Sequence, residues 1–154
     1  ISDERFLPVG HKDRNDQIIN EIWLDNSTIP KKNIHFIKAE LGLLEARVEY
    51  ENILRKIGKF DIVLLSMGED GHIASLFSNH LYSEEQNVVV EYNSPKLPKE
   101  RISMSYKRLN NSYYMFKLII GKLKRKSFEM SKKNTDLPFL QVKGKCELLY
   151  INLN

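Results

Sequence analysis

The chain has 154 residues, of which 42% are hydrophobic and 29% are charged, and its formal net charge is +4. This length fits one domain with a core of ordinary size, and the composition is that of a folded protein rather than a disordered or fibrous one. No apolar run approaches the roughly 20 residues that span a bilayer, and no secretory signal is recognisable. Cys146 is the only cysteine, which excludes an intrachain disulfide and predicts a reducing, cytoplasmic location.

The positive net charge alone is compatible with nucleic-acid binding. Lysines, however, are spread along the chain, and the one dense basic run covers residues 122–126. We therefore predict that the chain has no nucleic-acid partner. A steep dependence of binding on salt concentration would indicate the opposite.

Predicted strands and helices alternate along the chain. Strands are expected at residues 1–5, 33–37, 61–66, 88–92, 102–105, 115–120 and 148–153. Helices are expected at residues 13–24, 43–57, 107–114 and 122–132, with a short helix that begins at residue 73. This order predicts one α/β domain over residues 1–154, a three-layer α/β/α sandwich with a largely parallel, Rossmann-like sheet.

Two of these helices have a recognisable amphipathic pattern. Asp13 is predicted to cap the first, and its inward positions are Ile18, Ile19, Ile22 and Trp23. The helix at residues 43–57 is the clearest. Its apolar stripe consists of Ala46, Tyr50, Ile53 and Ile57. Glu51 and Arg55 form an i,i+4 pair, and Gly58 ends the helix.

The most informative segment is residues 61–77, DIVLLSMGEDGHIASLF. Its strand is apolar on both faces, which predicts a central, parallel position. Gly68 and Gly71 allow a tight turn at the carboxyl end of this strand, where ligands bind in open α/β sheets. Asp70 and His72 lie in the same turn, and imidazole is the side chain that titrates near neutral pH. The pattern predicts a general-base site.

The segment resembles the signature of 6-phosphogluconolactonases, which are similar to glucosamine-6-phosphate deaminases. Residues 3–15 resemble the family pattern D-E-R-x-V-P-x-x-H-x-D-S-N. Residues 98–105 are similar to P-x-x-R-I-T-L-T, and residues 118–124 to a hydrophobic strand followed by G-x-x-K. Four ordered motifs over nearly the whole chain are a specific signal. The resemblance implies hydrolysis of 6-phospho-D-glucono-1,5-lactone to 6-phosphogluconate, in the oxidative pentose phosphate pathway.

The resemblance also implies roles for the residues of the turn. His72 is expected to activate the attacking water, and Asp70 either orients the imidazole or water or bonds only to its own turn. The backbone amides of Gly71 and His72, at the start of the short helix, would stabilise an oxyanion or hold a phosphate oxygen. No metal or organic cofactor is expected, because the ester carbonyl is already electrophilic.

Three basic residues are expected to hold the phosphorylated sugar lactone that is the implied ligand. Arg101 and Lys124 would clamp the phosphate together with Arg5, although a neighbour of Lys124 could replace it. The neighbours concerned are Lys122, Arg125 and Lys126.

The remaining residues of the first motif are expected to support the site. Asp3 and Glu4 would hold Arg5 and its loop, and His11 is given a structural role over a metal or second-base role. Arg14 stands where the family has serine, which puts the geometry of that loop in question, and Glu69 receives no role.

Alternative functions follow from what the sequence lacks. The family carries a glycine-rich S-G-G-S/T phosphate loop ahead of the D-E-R block, and nothing in this chain matches it, so we expect the family's N-terminal segment to be missing. A non-catalytic sugar-phosphate-binding module is therefore one alternative. A deaminase is the other, but deaminases place a catalytic glutamate five residues after the histidine, where this chain has Phe77.

Overall fold

The computed structural model describes residues 1–133 and 136–154, which form an α/β structure with two three-stranded sheets. Its strands are β1 (Asp3–Arg5), β2 (Phe60–Ser66), β3 (Val88–Glu91), β4 (Arg101–Met104), β5 (Ser112–Ile120) and β6 (Cys146–Asn152). Its α-helices are α1 (Asn15–Ile22), α2 (Leu43–Lys56), α3 (Tyr106–Asn110), α4 (Arg125–Ser131) and α5 (Pro138–Gln141). Short 3₁₀ turns occur at Leu24–Asn26, Lys31–Asn33, Ala39–Leu41 and Lys122–Lys124.

The parallel sheet has the order β2-β5-β6, which confirms the predicted α/β class with a parallel sheet. Ser66 is paired with Leu118, and Leu118 with Tyr150, so the three carboxyl ends lie at one edge of the sheet. The loops that follow β2 and β5 therefore meet. The predicted central position of β2 is wrong within the described residues, because β2 pairs there only with β5.

The second sheet is antiparallel, with the order β1-β4-β3. In it Ser103 of β4 is paired with Asp3 on one side and with Val89 on the other. A parallel connection needs a crossover of a dozen or more residues, and the loop between β3 and β4 is shorter than that. The strands of this sheet are therefore not part of the parallel arrangement that the alternating pattern predicted.

Helix α1 begins at Asn15 and is capped from β1, so the prediction that Asp13 caps it is wrong. The buried Glu4 carboxylate accepts hydrogen bonds from the backbone N–H groups of Asn15 and Asp16, each at 2.8 Å. These are among the donors that the first turn of a helix cannot satisfy internally. The cap thus comes from a strand eleven residues earlier in the chain, beyond the reach of a local pattern.

The apolar side of α1 is exposed rather than buried. Ile22 is 78% exposed and Trp23 is 56% exposed, and no residue of α1 is buried. Together with the outer face of β2, where Ile62 is 62% exposed, this side lines an open apolar groove. The predicted inward positions do lie on one side of α1, as expected. That side, however, is not covered by the other described residues.

Three predicted elements differ most from the structure. Residues 33–37 form no strand, since a 3₁₀ turn ends at Asn33 and irregular chain follows. The helix expected at residues 107–114 is the shorter α3, because β5 already begins at Ser112. No helix follows His72: Ile73 and Leu76 form an isolated β-bridge, and Ala74 has φ 49°, which helical backbone does not permit.

Helix α2 confirms its prediction, including a distance of 3.2 Å between Arg55 Nε and Glu51 Oε1. Its buried side packs on β3 and β4 of the antiparallel sheet, within a core that both sheets share. That core includes Tyr50, Leu54, Leu65, Ile102 and Met115. Burying one such side chain stabilises the fold by about 1.5–3 kcal/mol. Helices in the described part of the chain are too short or too polar to cross a lipid bilayer.

Candidate active site

The turn after β2 is built around two glycines. Gly68 N–H donates to His72 O at 2.8 Å, and Gly71 N–H donates to Gly68 O at 3.1 Å. Gly71 has φ 86°, a conformation that side chains other than hydrogen disfavour. Met67 is fully buried, and its N–H donates to Leu118 O of β5 at 3.0 Å, which fixes the turn to the sheet.

His72 and Asp70 form a hydrogen-bonded pair on this turn, between His72 Nδ1 and Asp70 Oδ1. A carboxylate at Nδ1 favours the tautomer that carries its proton there and leaves the Nε2 lone pair free. No hydrogen bond to Nε2 is found within residues 1–133 and 136–154. Burial pushes the pKa of Asp70 upward, but the hydrogen bond from His72 and its charge outweigh burial and lower the pKa to about 2.

The imidazole lies between the backbone of Gly68 and an aromatic ring. A Cβ at position 68 would lie 2.1 Å from His72 Cε1, so only glycine leaves room for the ring. On the other side the ring centroids of His72 and Phe77 are 4.8 Å apart, and Phe77 is 2% exposed. The same Phe77 ring lies 5.5 Å from the Arg101 guanidinium carbon. Phe77 therefore joins the imidazole to the basic residues of the antiparallel sheet.

Arg5 and Arg101 are cross-strand partners on β1 and β4. Arg5 Nη1 donates to Asp13 O at 2.8 Å and to Asn15 Oδ1 at 2.7 Å. Burial lowers the pKa of Arg101, the charge of Arg5 lowers it further, and Asp3 and Asp70 act in the opposite direction. Arg101 thus lies within electrostatic range of both Arg5 and the Asp70 carboxylate.

The Arg101 guanidinium is also the anchor of the loop before β4. Its Nε donates to Pro98 O at 3.0 Å, and its Nη2 donates to Lys96 O at 3.0 Å and to Leu97 O at 3.2 Å. Arg101 is only 4% exposed. Two of its three nitrogens are thus used within the protein, a constraint that the sequence pattern did not reveal.

Lys124 lies at the carboxyl end of the parallel sheet, where its Nζ donates to Ser66 Oγ at 2.8 Å. Burial lowers the pKa of Lys124, the charge of Glu69 raises it, and the charge of Lys96 lowers it. Lys96 Nζ in turn lies 3.4 Å from Glu69 Oε2. Sequence reasoning missed Lys96, because nothing local separates it from the other lysine of the same loop, Lys99.

The amide of Gly71 is used inside the turn, so Gly71 shapes the turn rather than presenting a donor. The amide of His72 makes a longer contact, 3.4 Å to Asp70 Oδ1. Since no helix starts here, the helix-terminus environment predicted for these two amides is absent. Helix α4 braces the turn instead, through a hydrogen bond from Ser127 Oγ to Glu69 O.

The loop between β1 and α1 is held by Arg14, which is 1% exposed. Its guanidinium pairs with Asp16 at 2.6 Å and with Glu40 at 3.0 Å, and it donates to Leu7 O at 3.0 Å. At the position where serine was expected, the chain thus has a buried arginine that pairs with two partly exposed carboxylates. Asp13 N–H donates to His11 Nδ1 at 3.2 Å, a contact within the turn. Among the described residues, no group of three or more His, Cys, Asp and Glu side chains is arranged to hold a metal ion.

Comparisons with known proteins agree on one family. A family model described as glucosamine-6-phosphate isomerases/6-phosphogluconolactonase matches residues 1–150. A 6-phosphogluconolactonase of Thermotoga maritima is 34% identical over 148 residues, 94% of this chain and 66% of the relative. Chloroplastic 6-phosphogluconolactonase 3 of Arabidopsis thaliana is 34% identical over 86% of this chain and 46% of its own length.

A solved structure gives the same result for the fold. The crystal structure of the Thermotoga maritima 6-phosphogluconolactonase superposes with a TM-score of 0.89 at 32% identity. It covers 96% of this chain and 69% of the solved chain. The chain thus spans about half to two thirds of the length of these curated relatives.

Proposed function

Because the chain belongs to the glucosamine-6-phosphate isomerase/6-phosphogluconolactonase family, we propose that it carries the catalytic histidine and the phosphate ligands of a 6-phosphogluconolactonase. The observation that carries the proposal is the Asp70–His72 pair, whose free Nε2 lies at the sheet edge where Lys124 also lies. Two relatives that match most of the chain have this activity in their names.

The proposed reaction is hydrolysis of the lactone ester. His72 Nε2 takes a proton from water as the water oxygen forms a bond to C1 of 6-phospho-D-glucono-1,5-lactone. The tetrahedral intermediate then collapses, the bond from C1 to the ring oxygen breaks, and the ring oxygen takes the proton back from the imidazolium. Asp70 holds the ring by Nδ1–H and stabilises its protonated form, as an orienting carboxylate does in other hydrolases. The product is 6-phosphogluconate.

Three cationic side chains are proposed to hold the phosphate, which carries close to two negative charges near neutral pH. Lys124 offers an ammonium at the end of β5, and Arg5 offers the guanidinium nitrogens that Asp13 and Asn15 leave unused. Arg101 contributes mainly its charge and its remaining Nη1, since its Nε and Nη2 are bonded to the loop before β4. The cytoplasmic location stays a prediction, since the Arabidopsis thaliana relative is named chloroplastic.

The test is hydrolysis of freshly generated 6-phosphogluconolactone, followed by proton release and corrected for spontaneous ring opening. His72→Ala should lower kcat by at least ~100-fold with little change in KM, because general-base catalysis contributes about 10² to 10⁴-fold. His35→Ala, at an exposed histidine, is the matched control and should retain activity. A raised KM at unchanged kcat in His72→Ala would contradict the base assignment.

The same preparations separate the two alternatives. Release of ammonia from glucosamine 6-phosphate would support the deaminase, although Phe77 stands where deaminases have their catalytic glutamate. Binding of 6-phosphogluconate without turnover of the lactone would support the non-catalytic module. Either result, if it is obtained with folded protein, would refute the proposed lactonase activity.

A further inference from the structure

We propose that Lys96 is a second lysine ligand for the substrate phosphate, and that Glu69 occupies the phosphate position between Lys96 and Lys124 in the free protein. The inference rests on the proposed function and adds a specificity-determining pair to which the sequence motifs assign no role. It also gives Glu69 a role, namely a carboxylate that the incoming phosphate must displace.

The three charges lie close together at one edge of the parallel sheet. Glu69 Oε2 is 3.4 Å from Lys96 Nζ. Glu69 raises the pKa of Lys124 and Lys96 lowers it, so both act on the same ammonium group. Glu69 thus pairs with Lys96 and lies within electrostatic range of Lys124. A phosphate monoester is an oxyanion like this carboxylate and accepts the same charge-assisted hydrogen bonds.

The backbone at Lys96 is fixed although its side chain reaches solvent. Arg101 donates to Lys96 O at 3.0 Å, and Ser94 Oγ donates to the same carbonyl at 2.8 Å and accepts from Lys96 N–H at 3.1 Å. The side chain of Lys96 is 38% exposed. Arg101 is therefore a positioning residue for Lys96, in addition to contributing its own charge.

Glu69 is held by its backbone, and its side chain makes only an exposed ion pair with Lys96. Its carbonyl oxygen accepts from Ser127 Oγ of α4, while its side chain is 51% exposed. Exposed ion pairs are weak, so withdrawing this carboxylate from Lys96 costs little. A phosphate with close to two negative charges and three oxygens competes effectively for both lysines.

The lysine is tested by the KM and kcat of Lys96→Gln for two substrates, 6-phosphogluconolactone and unphosphorylated glucono-1,5-lactone. We expect KM for the phosphorylated lactone to rise about tenfold, the size of one charge-assisted hydrogen bond, with kcat nearly unchanged. The unphosphorylated lactone should be unaffected. Lys99→Gln, at an exposed lysine of the same loop, is the matched control. Equal effects on both lactones, or a Lys96→Gln variant that behaves like Lys99→Gln, would overturn the assignment.

The carboxylate is tested by Glu69→Gln, with Glu84→Gln as the exposed control. Removing the competing charge should lower KM for the phosphorylated lactone by up to about fivefold, because an exposed pair of this kind is worth up to about 1 kcal/mol. An unchanged or raised KM would refute the placement of Glu69 in the phosphate position.

Calorimetric titration with 6-phosphogluconate, and with gluconate as the unphosphorylated probe, separates failure of the inference from failure of the proposed function. Weaker binding of 6-phosphogluconate to Lys96→Gln supports the phosphate ligand even in a preparation without turnover. Turnover by the unsubstituted protein, combined with unchanged 6-phosphogluconate binding in Lys96→Gln, refutes the lysine and leaves the lactonase in place.

Discussion

The Asp70–His72 pair is the feature on which the proposed chemistry depends, and it can be separated from folding. In Asp70→Asn the imidazole keeps a hydrogen-bonding neighbour at Nδ1 but loses the charged one. We expect kcat itself to fall by about tenfold or more, since the ring loses its charged orienting partner. Measurement of kcat and KM near neutral pH checks this effect, and an unchanged kcat would show that Asp70 bonds only to its own turn.

The same carboxylate makes stability depend on pH. Its pKa is about 2 in the folded protein, against an ordinary value of 3.8, so its stabilising contribution is present above about pH 4. That contribution is lost as the pH falls through about 2. The difference in unfolding free energy between the unsubstituted protein and Asp70→Asn should therefore shrink over this range. Urea unfolding of both proteins at a series of acidic pH values measures this difference. A difference that stays constant as the pH falls would contradict an ionised Asp70 paired with His72.

Gly68 is required because the imidazole packs directly against it. In Gly68→Ala the new Cβ would lie 2.1 Å from His72 Cε1 and 2.2 Å from Nδ1, so the ring must move. A displacement of about 1 Å at a catalytic group costs on the order of 100-fold in rate. Gly58→Ala is the control, since a Cβ there meets nothing within 4 Å. Retained activity in Gly68→Ala, with an unchanged circular dichroism spectrum, would show that this packing is unimportant.

At the scale of elements, the loop between β1 and α1 depends on one buried cation. Arg14→Ala leaves Asp16 and Glu40, which are 19% and 35% exposed, without their partner, and should cost about 1–3 kcal/mol of unfolding free energy. Because Asp13 and Asn15 of this loop hold Arg5, KM for the phosphorylated lactone should rise as well.

Arg55→Ala is the matched control for this loop. Arg55 pairs with Glu51 on α2 and is 69% exposed, so its loss should cost no more than about 1 kcal/mol. Denaturant unfolding of both variants gives the comparison. Equal costs would mean that Arg14 is no more than a surface cation.

A local sequence pattern predicts some helices correctly and fails for others. Helix α2 follows from its own apolar spacing and its Glu51–Arg55 pair, which lie within one segment. The start of α1 does not, because its cap is Glu4 on β1. The expected helix after His72 also fails, since Ser75 Oγ bonds instead to Asp3 Oδ2 at 2.7 Å and ties this segment to β1.

For the whole molecule, β2 has one buried and one exposed apolar face. Val63 and Leu65 are 8% and 4% exposed, whereas Ile62 and Leu64 are 62% and 63% exposed. We expect the 154-residue chain by itself to bind a hydrophobic fluorescent dye, and the double change Ile62→Thr and Leu64→Thr to reduce that binding. Its unfolding free energy should change by no more than about 1 kcal/mol, because threonine suits strands and these sites are exposed.

Val63→Thr, on the buried face of the same strand, should have the opposite effects on stability and on dye binding. It places a hydroxyl in the core and should cost about 1–3 kcal/mol without reducing dye binding. Trp23 is the only tryptophan in the chain and 56% exposed, so acrylamide quenching of its fluorescence reports on the same groove. A strongly protected Trp23 in the isolated chain would contradict the open groove.

The sequence by itself determined those features that depend on residues close together in the chain. These are the α/β class, the amphipathic α2, the glycine turn with Asp70 and His72, and the four motifs that indicate the family. Turn chemistry and helix periodicity act over a few residues, so a linear pattern contains them.

Only the tertiary structure decided which side chains meet and which remain free. It commits Arg101 to the loop that carries Lys96, and it brings Glu69 next to Lys96. It caps α1 from β1, fills the expected serine position with the Arg14 network, and leaves one face of β2 exposed. Each of these depends on contacts between segments that are distant in the chain, or on which face of β2 the described residues cover, and a local pattern contains neither.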